Sequence, residues 1–408
     1  MASPALALAA TLAIQVIVSF VATAVAVLAP AIASDLQVSA SWVGAFVGLV
    51  YLGAMAASLL SGAYIARHGS IRVSQVCVVL CALGIAGVAT AGPGALPLVA
   101  VAALVLGVGY GPITPASSEI LARTTPASRM SLVFSIKQTG VPAGAALAGA
   151  VLPSLSLVTG WRGALGIAAA AGIAVVVVAQ AVRGALDVHR RADDHSAFAR
   201  ALDAVRRTFR DRELASIALL SLVYAAAQVC LTTFLVVHLT SVLGWSLVAA
   251  GLGLSVGTAG GVAGRIVWGA LSDRTQQPRA VLGVIGVIAG ACSVITALST
   301  PAWPAFVIYA TVAVFGATAI GWNGVMLAEV ARLAPPGQAG ATTGATGFVT
   351  FGGVMAGPPL FAALSTATGG TRAGYVAIAL LSGLTGLAIL LQRPRRTTDA
   401  KAAPRRIG

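Results

Sequence analysis

Lys137 and Arg265 are basic residues inside long apolar stretches of the chain. Lys137 follows Arg129 by eight residues. Arg265 precedes Asp273 by eight residues. If both stretches are helices, a rise of about 1.5 Å per residue places each cation roughly 12 Å from a charged helix end. That depth is near the middle of a hydrocarbon core about 30 Å thick. Because a cation there costs at least about 2.5–3.5 kcal/mol, each side chain needs a polar partner or a wet cavity.

No acidic residue is left to pair with these two cations. The eleven Asp and Glu residues fall at the ends of apolar stretches, in the polar centre of the chain or near its C-terminus. An anionic substrate would supply the missing charge, with Arg265 holding a carboxylate through two N–H groups and Lys137 acting as a point charge. The alternative is that Arg265 donates to helix carbonyls or hydroxyls and that Lys137 extends toward water.

Other polar side chains recur at helical spacing on apolar stretches and could complete a cavity around the cations. Gln15, Ser19 and Thr23 are spaced by four residues on the first stretch. The further candidates for substrate contact are Tyr110, Gln138, Tyr224, Gln228 and Asn323. Hydrogen bonding between helices is the alternative role for each. His238 is either a titrating gate or an ordinary interfacial histidine.

The elements that must position these residues follow from the composition. The 408 residues are 58% hydrophobic and 9% charged, with a mean hydropathy of +0.95. A soluble domain is about 25% charged, and a disordered chain is richer still in charge, so both classes are excluded. Apolar stretches recur six times within 6–182 and six times within 214–392, which predicts an all-α membrane protein with twelve transmembrane helices in two six-helix bundles.

The predicted organisation has four parts. They are an N-terminal six-helix bundle (1–183), a central cytoplasmic loop (184–213), a C-terminal six-helix bundle (214–392) and a cytoplasmic tail (393–408). Within the loop, Phe198, Leu202, Val205 and Phe209 recur at helical spacing, which predicts an amphipathic helix on the membrane surface, with a regulatory partner site as the alternative.

The net charge of +14 reflects the topology of the chain in the membrane. With the N-terminus in the cytoplasm, 21 of the 25 Lys and Arg residues fall on the cytoplasmic side and two on the outer side, Arg162 and Arg372. This positive-inside distribution predicts that both termini are cytoplasmic and removes the argument for nucleic-acid binding. The four cysteines lie in apolar stretches, without the spacing of disulfides or metal sites. Since a nucleotide loop and a nucleophile with its base are also missing from the sequence, we expect no cofactor, no metal and no enzyme activity.

The two halves of the sequence repeat each other. Gly62–Arg72 is echoed by Gly269–Arg279 at an offset of 207, and Glu119 is echoed by Glu329 at an offset of 210. Gly160-Trp161-Arg162 is echoed by Gly370-Thr371-Arg372. Internal repeats of this kind are typical of alternating-access transporters, whose substrate lies between the halves near the midplane.

The segment GALSDRTQQPR at 269–279 resembles the loop motif Gly-x-Leu-x-Asp-Arg-x-x-x-x-Arg of the major facilitator superfamily, and the resemblance extends over essentially the whole chain. The first copy, GAYIARHGSIR, has Ala66 where the acidic residue normally stands. The resemblance implies that charged helix ends hold the outward-facing state closed at the cytoplasmic side, with weaker closure in the N-terminal half. The residues given this gating role are Arg67, Glu119, Arg129, Asp273, Arg274 and Glu329.

The resemblance extends to two candidate substrate residues. Arg265 in Gly-x-x-Gly-Arg-x-x-x-Gly resembles the arginine in span eight of carboxylate-transporting members. Gln138 in Lys-Gln-Thr-Gly resembles the glutamine in span five of sugar-transporting members. We therefore expect a secondary active transporter of a small organic anion, by proton symport or anion exchange, acting as a monomer in the cytoplasmic (inner) membrane. The alternative is a drug or metabolite efflux transporter of the same fold.

Overall fold

The computed structural model describes residues 3–38, 42–187 and 197–392, and their regular structure is entirely helical. A short 3-10 helix covers Ala127–Arg129. The α-helices are α1 (Pro4–Val27), α2 (Ala29–Leu36), α3 (Trp42–His68), α4 (Ser70–Ala89), α5 (Leu96–Tyr110), α6 (Ile113–Thr124), α7 (Met130–Gln138), α8 (Gly140–Leu186), α9 (Ala197–Arg210), α10 (Arg212–Ser241), α11 (Leu247–Thr275), α12 (Pro278–Leu298), α13 (Ala305–Ala319), α14 (Asn323–Leu333), α15 (Ala339–Thr368) and α16 (Arg372–Leu391).

Twelve spans account for all of these helices except α9. Eleven helical segments of the described chain are long and apolar enough to cross a membrane. One of them, Ala127–Leu186, has 60 residues, whereas a bilayer needs about 20. Gly160 breaks it with a φ of 69°, a conformation that glycine adopts readily, so this segment is two spans. The predicted fold class is confirmed. The predicted tail, 393–408, lies outside the described residues.

Three spans are broken near their middle, which the sequence did not predict. The fourth span divides into α5 and α6 at Gly111-Pro112, and the tenth divides into α13 and α14 at residues 320–322. The two breaks are related by the same offset of 210 that relates Glu119 to Glu329. The fifth span divides into α7 and α8 at Thr139. Broken helices leave backbone carbonyls without helical partners, and such breaks are tolerated where the protein or a cavity satisfies them.

The two ends of the bundle differ in charge. We call the end that carries Arg67, Arg123, Arg274 and Arg332 the basic end. At the opposite end, Arg162 forms an ion pair with Asp35 at 2.7 Å. The concentration of arginines at one end agrees with the twelve-span arrangement that the charge distribution predicts.

The two halves meet at the basic end. The contacts between them join α3 and α6 to α15, α7 to α11, and both α6 and α7 to α14. The contact between α3 and α15 continues into the middle of the spans, where the Ser58 hydroxyl donates to the Gly344 carbonyl at 3.3 Å and the Tyr51 and Phe351 rings lie 6.0 Å apart. Beyond Thr139, α8 instead packs against α1 and α4 of its own half. The halves are therefore closed at the basic end and separate toward the opposite end.

We predict that Gly264→Val destabilises the protein by about 1–3 kcal/mol, because α11 and α13 are in backbone contact at that position. A Cβ at Gly264 would lie only 2.7 Å from the Ala317 Cα. A Cβ at Gly251, on the same helix, would point into open space, so Gly251→Val is the control. Thermal unfolding of the purified variants measures the difference, and equal melting temperatures for the two variants would contradict this packing.

Candidate functional site

Lys137 is buried beside a break in its helix. It lies in the last turn of α7, directly before the break at Thr139, and its side chain is 1% exposed. Its ammonium group donates to Gln15 Oε1 at 2.7 Å and to Gln138 Oε1 at 3.1 Å. The Gln15 amide in turn donates to the Ser19 hydroxyl at 3.2 Å. The ammonium group is therefore held by neutral amide oxygens and does not extend to the surface.

Arg265 lies opposite Lys137 in the other half and is 2% exposed. Its Nε donates at 3.2 Å to the Ile320 carbonyl, at the break between α13 and α14. Its Nη1 donates to the backbone carbonyl of Gln138, across the boundary between the halves. Gln138 thus accepts from both cations, through its side chain from Lys137 and through its backbone from Arg265.

The positive charge of this pair is not balanced by the described protein. Neither Lys137 nor Arg265 forms a salt bridge with any described acidic residue, and the two cations repel one another. An ammonium group has three N–H donors and a guanidinium group has five. Two donors of each have partners within the described residues. The remaining donors and both charges can bind an anion.

The other predicted substrate residues divide into two groups. Tyr110 lies next to the fourth-span break and is close enough to Arg265 and Ser19 to interact with them. Gln228 Oε1 accepts from Trp322 Nε1 at 3.2 Å and from Asn323 Nδ2 at 3.0 Å, at the tenth-span break that also holds Arg265. The structure therefore gathers these residues around the two breaks.

Tyr224 packs edge-on against Trp322 of this cluster, with ring centroids 5.8 Å apart, whereas His238 lies away from it. The Tyr224 hydroxyl donates to the Leu282 carbonyl at 2.9 Å, inside the C-terminal half. His238 is buried near the opposite end, where Nδ1 lies 2.7 Å from Thr371 Oγ1 and Nε2 lies 3.2 Å from Ser299 Oγ. Sequence spacing placed Tyr224 on a common face with Gln228, but it could not show which neighbouring helix that side chain would reach.

Asp273 closes the basic end by capping a helix of the other half. Its carboxylate accepts from the backbone N–H groups of Ser131 at 3.0 Å and Leu132 at 2.8 Å, in the first turn of α7. Arg332 also donates to Asp273 at 3.3 Å. The first N–H groups of a helix have no partner within it, and the helix dipole favours negative charge at that end. Asp273 therefore holds the two halves together.

Glu119 makes the corresponding contact in the N-terminal half, where Ala66 has replaced the acidic residue of the loop. Its Oε2 accepts from the backbone N–H of Gly340 at 2.7 Å, in the first turn of α15. Position 66 corresponds to Asp273 in the internal repeat. In the N-terminal half, a carboxylate from α6 takes the place of a carboxylate at position 66 and caps α15. Glu119 accepts one N–H bond from the other half, against two for Asp273, which provides a physical basis for weaker closure in the N-terminal half.

The remaining predicted gating residues differ in their surroundings. Glu329 is buried and lies 3.8 Å from Arg332. Arg67, Arg129 and Arg274 are exposed at the basic end and form no ion pair with another described residue. Their gating role stays a prediction. Sequence reasoning did not assign a gating role to Arg332, which donates to the Ala127 carbonyl at 3.1 Å and to the Ser131 hydroxyl at 3.2 Å in the other half and so belongs to the closure.

We predict that Asp273→Ala opens the basic end more than Glu119→Ala does, because it removes more hydrogen bonds between the halves. Each lost bond to a carboxylate contributes about 1.5–3 kcal/mol, enough to shift a two-state equilibrium by roughly 10-fold or more. Spin labels on His68 and Thr275, at the basic ends of α3 and α11, measure the separation of the halves. Arg72→Gln, at an exposed arginine of the basic end, is the control. Unchanged distances in Asp273→Ala would refute the role of this cap.

The geometry agrees with comparisons to known proteins. The family model of the Major Facilitator Superfamily matches residues 11–358. No curated protein matches the chain. Among solved structures, the fucose:proton symporter of E. coli is 17% identical with a TM-score of 0.72, covering 93% of this chain and 97% of its own.

Two further solved structures are similar to the chain. The human organic anion transporter TETRAN is 14% identical, with a TM-score of 0.76 over 95% of this chain and 100% of its own. A bacterial homologue of the iron transporter ferroportin, in an outward-facing state, is 16% identical, with a TM-score of 0.73 over 94% and 99%. At these identities the likeness concerns the fold alone.

Proposed function

The chain belongs to the Major Facilitator Superfamily, and on that premise we propose that it moves a small organic anion of the carboxylate class across the cytoplasmic membrane by alternating access. Members of the family are transporters and not enzymes, and this chain is a multi-pass membrane transporter of a small molecule. The observation that carries the proposal is the buried pair Lys137 and Arg265, whose charges no described acidic residue balances.

The donor geometry favours a carboxylate. Arg265 keeps guanidinium N–H groups without a partner in the described residues, and a planar guanidinium can hold a carboxylate through two parallel hydrogen bonds. Lys137 adds a second charge from the other half. The polar groups of Tyr110, Gln228 and Asn323 near the same breaks suit a small substrate that is partly polar.

The conformation supports access from one side at a time. We propose that the basic end is cytoplasmic, so the structure corresponds to an outward-facing state closed by Asp273 and Glu119. The proposed arrangement places both termini in the cytoplasm and needs only one copy of the chain. Anion binding between the halves would then favour closure around the substrate, because both halves supply positive charge to it.

The proposed coupling follows from membrane electrostatics. Moving one elementary charge against the membrane potential costs about 2.3 kcal/mol per 100 mV. An anion entering a negative-inside cell therefore needs a compensating charge. Proton symport or exchange for another anion would each supply it.

We predict that Arg265→Ala and Lys137→Ala abolish carboxylate uptake, because each removes the cation that pairs with the substrate carboxylate. Truncating one partner of a buried, hydrogen-bonded ion pair costs about 2–5 kcal/mol or more, which lowers affinity roughly 30-fold to over 1,000-fold. Uptake into proteoliposomes that contain equal amounts of each variant measures this loss. Arg265→Lys keeps the charge but loses the two-bond geometry, so we expect partial loss. Arg72→Ala, an exposed arginine at the basic end, is the control. Full transport by both alanine variants would exclude the anion site.

A thermal-shift screen of small carboxylates on the purified protein should identify stabilising ligands, because a ligand at about 100 times its Kd stabilises the folded state by about 2.7 kcal/mol. We expect Arg265→Ala to lose this stabilisation. Stabilisation by lipophilic drugs instead, retained in Arg265→Ala, would favour the efflux alternative. Resistance profiles of knockout and overexpressing cells would then distinguish the two functions.

A further inference from the structure

The connection between the halves contains a helix with a distinct surface. α9 (Ala197–Arg210) precedes α10 directly, and Asp211 caps α10 by accepting from the backbone N–H groups of Glu213 at 2.8 Å and Leu214 at 3.1 Å. α9 packs against α3, α10 and α15 at the basic end. The sequence-predicted amphipathic helix is therefore present, and it lies on both halves at once.

One face of α9 is buried against the bundle. Ala201, Ala204 and Thr208 form this face. Their small side chains bring the helix close to the bundle, and Thr208 satisfies its hydroxyl by donating to the Ala204 carbonyl at 2.9 Å. The buried face fixes the direction in which every other side chain of α9 points.

A second face of α9 exposes large apolar side chains. We call Phe198, Leu202 and Phe209 the linker stripe; they are 68%, 41% and 48% exposed. At about 100° per residue, the stripe is turned roughly 105° from the buried face. The three side chains have no covering group within the described protein.

A basic face borders the linker stripe. The exposed Arg206 and Arg210 lie roughly 80° beyond the stripe, on the side away from the buried face. Around the helix, the order is therefore bundle contact, apolar stripe, basic edge. A helix lying in a membrane surface beside a transmembrane bundle needs this order, with apolar side chains at the acyl boundary and arginines at the level of the headgroups.

We propose that α9 is a binding surface for anionic phospholipids, with the linker stripe in the acyl boundary and Arg206 and Arg210 on the phosphate groups. The charge selects this occupant: the described helix carries four arginines and one aspartate. Basic segments beside a membrane are attracted to anionic lipid. A protein partner would leave the stripe in water whenever it dissociated, whereas the adjoining bilayer covers it permanently.

The surface is connected to the closed end of the transporter. Arg207 pairs with Asp203 at 2.7 Å and donates to Gln338 Oε1 at 2.6 Å. Gln338 directly precedes α15, whose first turn is capped by Glu119 from the other half. Lipid that holds α9 on the membrane surface therefore also holds it against the contact between α3 and α15, and favours the state closed at the basic end.

Thermal unfolding of the full-length protein in detergent micelles doped with phosphatidylglycerol or phosphatidylcholine of equal chain length tests this proposal without a substrate. We expect phosphatidylglycerol to raise the Tm more. Arg206→Gln with Arg210→Gln should lower the apparent affinity for phosphatidylglycerol by roughly 10-fold or more. Arg72→Gln, also an exposed arginine at the basic end, should not. Phe198→Gln with Phe209→Gln should weaken stabilisation by both lipids.

Three results would overturn the proposal. They are equal stabilisation by the two lipids, an unchanged preference in the double arginine variant, and an equal loss in Arg72→Gln, which would indicate a general attraction to the basic end. If a double variant does not purify, native mass spectrometry of the lipids retained by the single variant Arg206→Gln decides the same question. A negative result for lipid binding would not argue against the proposed anion site, because none of these residues contacts Lys137 or Arg265.

Discussion

The burial of two like charges between the halves is the constraint on which the centre of the molecule depends. Lys137 and Arg265 are almost fully buried, and only neutral oxygens of described residues solvate them. Neutral dipoles lower the desolvation cost of a cation without cancelling its charge. Two irregular helix segments meet this need. The residue four positions after Gln138 is Pro142, which has no N–H to bond the Gln138 carbonyl, and the Ile320 carbonyl lies at the break in the tenth span.

The closure at the basic end uses the opposite arrangement, in which a carboxylate of one half meets the N-terminus of a helix in the other. Asp273 caps α7, and Glu119 caps α15. Such contacts are strong enough to favour one conformation and weak enough to break in a transport cycle. Because the cap of α7 lies about two turns before Lys137 on the same helix, a change at the cation site can alter the closure through a rigid element.

The features of this structure that depend on hydropathy and chain position could be predicted from the sequence. Twelve spans and the depth of Lys137 and Arg265 follow from apolar length and from distance to a charged end. The helix breaks could not be derived, since Gly and Pro are common in membrane helices and only some of them interrupt the helix. Sequence reasoning also missed the capping by Glu119 and the hydrogen bond from Tyr224 to the Leu282 carbonyl inside the C-terminal half. Helical spacing predicts which side chains share a face of a helix, but it does not identify the helix that packs against that face.

The two cations also explain how an anion could drive the proposed cycle. Lys137 belongs to the N-terminal half and Arg265 to the C-terminal half, so their mutual repulsion opposes closer approach of the halves. At an effective dielectric constant of about 20, two unit charges a few ångströms apart repel by a few kcal/mol. In the proposed cycle, a bound carboxylate would turn this repulsion into attraction from both sides. The same charge would then bind the substrate and change the preferred distance between the halves, which is what differential binding to two conformations requires.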